Sequence, residues 1–217
     1  MTLTQPPGGN VAYGVYLSPY MAKINSSSTA VPVICDDFTD DTWIGETWTA
    51  QVFAGGGDLS GTRMAASLPS GQTLVQSYDA IASLALQLLA LGHSPNINTQ
   101  AILSFAIWDI FADKAVSDWL NGHGGGGTFL SDVKATASTA LSHALTSPGQ
   151  RSVLTIYSPA QDPQATCDGR GCPTPIPQEF ITVKTPEASA AAILVVDLLG
   201  LASAIVLSRR RPFRAPR

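Results

Sequence analysis

Apolar and polar side chains alternate through much of the first 54 residues of the chain. Alternation of this kind, with Pro, Ser, Gly or Asp between the runs, predicts short β-strands. In the first of these runs Val11, Tyr13 and Val15 fall on one face of a single predicted strand. The predicted strands cover residues 10–18, 20–25, 31–35 and 46–54.

After residue 77, the spacing of apolar side chains changes from every second position to that of a helix. Apolar side chains recur at near-helical spacing through residues 78–91, and the pattern ends at Gly92. A second apolar stripe runs through residues 98–120 and ends before the glycine run 124–127, which cannot remain helical. A third, shorter helix is predicted for residues 130–145.

Strand character returns at residues 152–158 and 179–183. Strands, then helices, then strands predict an α+β fold: a β-rich, sandwich-like domain with a central helical insertion, in which the first and last strands share a sheet. Residues 1–184 are enough for one domain with a substantial core. We therefore expect a single domain over residues 1–184.

An apolar segment at residues 188–208 follows this domain. Its length of about 21 residues, at about 1.5 Å each, matches the hydrocarbon thickness of a bilayer. A buried core helix is the alternative, but such a helix carries a polar face. This segment has one charged residue, Asp197, and therefore favours a transmembrane helix.

Arginines follow the apolar segment and orient it. Positive residues at the end of a span remain cytoplasmic, so the domain before it lies outside the membrane. The expected location is the cell envelope, as a single-pass inner-membrane protein with its N-terminus outside. The arginines are Arg209, Arg210, Arg211, Arg214 and Arg217.

Residues 185–217 resemble the PEP-CTERM sorting signal, which consists of a Pro-Glu-Pro-like motif, one apolar span and an arginine cluster. Pro186 and Glu187 match the motif, Ala188 replaces the usual second proline, and the cluster is Arg209, Arg210 and Arg211. The resemblance implies that an exosortase, a membrane-embedded processing enzyme, recognises and removes the tail. It also implies release to the surface or the extracellular matrix.

Charge is divided unevenly along the chain. Residues 1–184 carry 14 acidic and 7 basic side chains, whereas residues 185–217 carry 2 and 5. An acidic domain without a Lys/Arg cluster argues against nucleic acid as a partner. The first residues lack the basic and apolar regions of a signal peptide, so we expect the export leader to lie upstream of Met1.

Cysteines 167 and 172 lie in a glycine-containing loop that can bring their Cα atoms within disulfide distance. Export would oxidise them, so a Cys167–Cys172 disulfide is predicted, with two free thiols as the alternative. A metal site needs further ligands that this loop does not supply. No metal and no cofactor are predicted.

Cys35 begins the sequence CDDF, and Gly45 and Trp48 form a Gly-x-x-Trp motif after it. Together with SFAIWDIF at residues 104–111, these motifs resemble the thioester domains of bacterial surface adhesins. That resemblance implies an internal thioester between a cysteine and a glutamine, which a target amine opens. Ser104 stands at the family's glutamine position, so Gln100, one helical turn earlier, is the candidate partner of Cys35.

Four aspartates follow Cys35: Asp36, Asp37, Asp40 and Asp41. Side-chain caps of turns at a strand end explain them, and a calcium site is the alternative. Four tryptophans could stack on sugar rings, although Trp108 lies on the apolar stripe of the second helix and is expected in the core. Exopolysaccharide or other surface components are candidate partners.

Catalytic patterns are weak. His93, His123 and His143 show no paired spacing, and no Gly-x-Ser-x-Gly motif is present. A hydrolase assembled from distant residues is an alternative, but no catalytic residue is predicted. The sequence favours a non-enzymatic, structural or interaction protein of the cell envelope or matrix, with a covalent thioester adhesin as the second hypothesis.

Overall fold

Three helices pack on one face of an antiparallel sheet in the computed structural model, which describes residues 1–4, 10–25, 27–92, 96–160 and 177–184. Met1–Lys184 forms one compact unit. The strands within the described ranges are β1 (Thr2–Thr4), β2 (Val11–Ala12), β3 (Val15–Tyr16), β4 (Tyr20–Lys23), β5 (Ala30–Cys35), β6 (Ala50–Ala54), β7 (Leu154–Pro159) and β8 (Phe180–Val183). The helices are α1 (Leu74–Ala90), α2 (Ile97–Gly122) and α3 (Thr128–Thr146), with 3₁₀ helices at Arg63–Ser67 and Gln150–Val153.

The main sheet has the strand order β1-β4-β5-β8-β7-β6, and every neighbouring pair is antiparallel. The last strand, β8, lies between β5 and β7, which confirms that terminal strands share a sheet and that the domain is α+β. The described strands do not form the expected sandwich. Helices, rather than a second sheet, cover the face of the sheet that carries Ile34 and Ile181.

The first predicted strand is a two-stranded hairpin instead, with β2 paired to β3. Tyr13 and Gly14 have φ values of 51° and 83°, which a two-residue hairpin turn requires and a strand does not allow. The alternation of Val11, Tyr13 and Val15 continues across the turn, so the prediction of one strand was wrong.

All three predicted helices are present, and each is longer than predicted. The Thr73 side chain caps α1 by accepting a hydrogen bond from the Gln76 amide, and Gly92 follows its end with a φ of 68°. Asn96 caps α2 in the same way. A polar cap extends the helix beyond the apolar stripe from which its start was predicted.

The two faces of the sheet bury different side chains. Ile34, Ile156 and Ile181 face α1 and form one core cluster with its apolar side chains. Val33, Cys35 and Phe180 point to the opposite face, where they pack with Leu3, Ala22 and Trp48. This division follows from the period of two along each strand.

Within the described ranges, no helix is both long and apolar enough to cross a membrane. The predicted span at 188–208, with the rest of the sorting signal, lies outside these ranges. Cys167, Cys172 and His93 also lie outside these ranges. The membrane span, the sorting signal and the disulfide therefore remain predictions.

Ile181→Ala is expected to lower the free energy of unfolding by about 2–5 kcal/mol, because Ile181 is 0% exposed between the sheet and the helices. Val52→Ala on β6 is the matched control: Val52 is 61% exposed, so the change should be about 0.5 kcal/mol or less. Urea unfolding followed by circular dichroism measures both. Equal losses for the two variants would contradict this assignment of the core.

Candidate functional site

The buried carboxyl groups of Asp36, Asp37 and Glu179, here called the carboxyl cluster, lie where β5 ends and β8 begins. All three residues are 0% exposed. Cys35 pairs with Phe180 in the β5–β8 ladder, so Asp36, which directly follows β5, lies beside Glu179, which directly precedes β8. The same two segments are joined by a second contact: the Gln178 Nε2 donates to the Asp37 carbonyl at 2.8 Å.

Glu179 joins three separate segments of the chain. The Tyr78 hydroxyl, on α1, donates to its Oε1 at 2.5 Å, and the Arg63 backbone amide donates to its Oε2 at 2.9 Å. The same Arg63 amide donates to the hydroxyl of Ser158, on β7, at 2.7 Å. Burial raises the pKa of Tyr78 and the neighbouring Glu179 charge adds to this, so the phenol remains a donor.

Asp37 is held by a charged partner and by a local turn. The Arg63 Nε atom lies 2.6 Å from its Oδ2, and the Arg63 guanidinium also pairs with Asp40. The Asp37 Oδ1 atom accepts from the Thr39 amide and hydroxyl, each at 2.9 Å. This confirms the prediction that an aspartate of this segment caps a turn at the strand end.

Asp36 differs from the other two carboxyl groups. Neither of its oxygens accepts a hydrogen bond from any group in the part of the chain that the structure describes. The strand register places its carboxyl group beside that of Glu179. Burial raises the pKa of Asp36 well above its usual range, and the charges of Glu179 and Asp37 raise it further.

Burial limits what the carboxyl cluster can do chemically. Glu179 is bonded to the Tyr78 hydroxyl and the Arg63 amide, and Asp37 to the Arg63 side chain, so the cluster connects segments of the fold. In the described ranges, no group of three or more His, Cys, Asp or Glu side chains is arranged to hold a metal ion. The geometry fits proton exchange within the folded domain.

Cys35 lies next to the carboxyl cluster in sequence but on the opposite face of the sheet. Its side chain is 1% exposed, and its Sγ donates to the Asp37 carbonyl at 3.0 Å. Burial raises the pKa of the thiol well above its usual range, with Asp37 and Asp36 adding to the effect. The group is therefore a neutral thiol, which is a poor nucleophile.

Gln100, the candidate thioester partner, is buried and bonded elsewhere. Its Oε1 accepts from Asn10 at 2.6 Å, and its Nε2 donates to the Ser18 carbonyl at 2.9 Å. The Cys35 amide donates to the Ser18 hydroxyl at 3.3 Å. The structure thus brings Cys35 and Gln100 into one network through Ser18, with the thiol and the carboxamide held by different groups.

Ser104 and Trp108 lie on α2 near the same strand end. The Ser104 hydroxyl is buried and has no hydrogen-bond partner among the described groups. The Trp108 Nε1 donates to the Cys35 carbonyl at 2.9 Å, and the residue is 3% exposed. The prediction that Trp108 belongs to the core is confirmed.

The remaining tryptophans and histidines have different surroundings. Trp43 is 53% exposed, whereas Trp48 is buried. Trp119 donates to the Tyr13 carbonyl and stacks on His123 with ring centroids 3.8 Å apart. His143 lies in the last turn of α3.

Sequence reasoning missed Glu179, Tyr78 and Arg63 as members of this site. A signal for Glu179 exists: it directly precedes an apolar strand, as Asp36 directly follows one. If those two strands are antiparallel neighbours, the two carboxyl groups meet. Nothing local marks Tyr78 or Arg63, because their roles depend on the packing of the helices.

Tyr78→Phe should lower the free energy of unfolding by about 1–3 kcal/mol, because Glu179 loses a buried donor. The matched control is Tyr16→Phe, at a residue that is 48% exposed, where the change should stay within about 0.5 kcal/mol. Urea denaturation of both variants provides the measurement. A Tyr78→Phe protein as stable as the control would show that this hydrogen bond does not support the fold.

No protein-family model and no curated protein sequence matches this chain. The chain is similar in structure to the N-terminal thioester domain of fibronectin-binding protein SfbI from Streptococcus pyogenes. The TM-score is 0.44 and the sequence identity 9%, over 86% of this chain and 100% of that chain. Similarity at this level assigns neither a ligand nor a reaction to the chain.

Proposed function

We propose that the chain is an exported protein of the bacterial cell envelope with a structural or interaction role. The α+β domain, residues 1–184, is presented outside the inner membrane, and residues 185–217 sort or anchor it. The observation that carries this proposal is the order of features in the tail: Pro186 and Glu187, an apolar segment long enough to span a bilayer, and the Arg209–Arg211 cluster.

The use of buried charge in the domain supports a structural role. Glu179 connects α1 and the first 3₁₀ helix to β8. Asp79, on α1, accepts from the backbone amides of Gly149 and Arg151 and so fixes the segment that leads into β7. These carboxyl groups hold elements together and have no open access for a substrate.

An exposed apolar turn supports an interaction role. Trp43 and Ile44 are 53% and 48% exposed. The turn is held rigidly, because the Trp43 amide donates to Glu46 at 2.8 Å and the Gly45 amide donates to the Leu3 carbonyl at 2.9 Å. Large apolar side chains on a fixed turn fit contact with surface components such as exopolysaccharide.

Replacing Pro186 and Glu187 with alanine should block processing of the tail, because the motif that an exosortase recognises is lost. The full chain, expressed behind a secretory leader in a host that carries an exosortase, should then accumulate as a larger, membrane-bound species. Thr185→Ala is the control and should be processed like wild type. Identical mass and fractionation of the double variant and wild type would exclude sorting through this motif.

A covalent adhesin that uses Cys35 and Gln100 is the second candidate. The observation in its favour is their shared contact with Ser18. The reaction would join the Cys35 Sγ to the Gln100 side-chain carbonyl carbon and release ammonia, and a target amine would later displace the thiol. Formation of this bond requires both side chains to leave their present hydrogen bonds.

Intact-mass spectrometry distinguishes this second candidate from the first. A thioester lowers the mass of the native chain by one ammonia, and methylamine then adds to it; Cys35→Ala abolishes both changes. We expect no loss of ammonia and only the loss of the two hydrogens of the predicted Cys167–Cys172 disulfide, because the Cys35 thiol is buried and neutral. A loss of ammonia that depends on Cys35 would establish the covalent adhesin instead.

A further inference from the structure

We infer that Asp36 and Glu179 share one proton inside the folded domain, and that this shared proton makes the junction between β5 and β8 sensitive to pH. Asp36 and Glu179 belong to segments that are far apart in sequence. The hydrogen bond between their neighbours, Asp37 and Gln178, spans 141 positions. This inference is independent of export and of the sorting signal. It concerns how the domain responds to its surroundings.

The strand register brings the two carboxyl groups together on one face. Ile34 pairs with Ile181 and Cys35 with Phe180, so Asp36 lies beside Glu179 on the side of the sheet that carries Ile34 and Ile181. That side faces α1, from which the Tyr78 hydroxyl reaches Glu179. Both carboxyl groups are therefore enclosed between the sheet and the helices, with 0% exposure.

Hydrogen bonding assigns different protonation states to the two groups. Glu179 accepts from the Tyr78 hydroxyl and from the Arg63 amide, which favours the carboxylate. The oxygens of Asp36 accept no hydrogen bond among the described residues. An ionised, unpartnered, buried carboxylate is very costly, whereas a neutral Asp36 can donate to Glu179.

Among the described residues, no charged side chain on the surrounding elements pairs with Asp36, so this group still requires a proton. Arg63, in the first 3₁₀ helix, directs its guanidinium to Asp37 and Asp40 and offers only its backbone amide to Glu179. Tyr78 on α1 and Cys35 on β5 remain neutral, because burial raises the pKa of each. Asp37 adds a further negative charge beside Asp36.

The direction of the pH dependence follows from the raised pKa values. Burial raises the pKa of Asp36, with Glu179 and Asp37 adding to it, and burial also raises the pKa of Glu179. At pH values between the pKa of Asp36 in the unfolded chain, about 4, and its pKa in the folded chain, the folded chain holds a proton that the unfolded chain lacks. Stability is therefore full at acidic pH and falls as the pH rises through this window.

Urea unfolding of the full chain between pH 5 and pH 8 tests the inference. For wild type, the shared proton should make the folding equilibrium constant fall as the pH rises, by up to about tenfold for each pH unit. In Asp36→Asn the amide donates to Glu179 without titrating, so this component of the slope should disappear. Groups that the substitution leaves unchanged contribute equally to both proteins and cancel in the difference.

Asp58→Asn is the control for the loss of an aspartate. Asp58 is exposed, and the Ser60 amide lowers its pKa, so it is ionised in both states throughout this pH range. Its slope should equal that of wild type. Parallel slopes for wild type and Asp36→Asn would overturn the inference.

Glu179→Gln provides a second variant if Asp36→Asn does not fold. It removes the Glu179 charge, which adds to burial in raising the pKa of Asp36, so the fall in stability should level off at a lower pH than in wild type. A pH dependence identical to that of wild type would overturn the inference. A wild-type chain that takes up no proton on folding across this range would do so without any variant.

Discussion

The antiparallel pairing of β5 with β8 determines where the important groups of this domain lie. The three helices are inserted between β6 and β7, so this pairing brings the residues before the insertion against those that follow it. The same register that packs Ile34 against Ile181 under α1 brings Asp36 to Glu179 at the end of the ladder. The core and the carboxyl cluster are thus consequences of one pairing.

Strand alternation separates two kinds of chemistry at adjacent residues. Cys35 points into the cluster formed by Leu3, Trp48 and Phe180, where its thiol is neutral and bonded to the Asp37 carbonyl. Asp36 points to the other face, where Glu179 and Tyr78 meet. The Cys35 thiol is therefore held in place, whereas the Asp36 carboxyl group can exchange a proton with Glu179.

Local patterns in the sequence predicted the elements better than their pairing. The helices followed from the spacing of apolar side chains and from Gly92, because both signals are local. The hairpin at Tyr13–Gly14 was missed because alternation continues through a two-residue turn. The aspartates after β5 were expected to cap turns at the strand end, and the Asx turn of Asp37 with Thr39 confirms this for one of them. The role of Asp36 depends on Glu179 and Tyr78, whose proximity arises only from tertiary packing.

The titration of the Asp36 carboxyl group in the folded wild-type chain tests the shared proton most directly. Carbon-13 NMR of the side-chain carboxyl carbons between pH 4 and pH 8 follows each group separately. The structure predicts that Asp36 remains protonated well above the pH at which the exposed Asp58 ionises. Ionisation of Asp36 together with the exposed carboxyl groups would contradict the account.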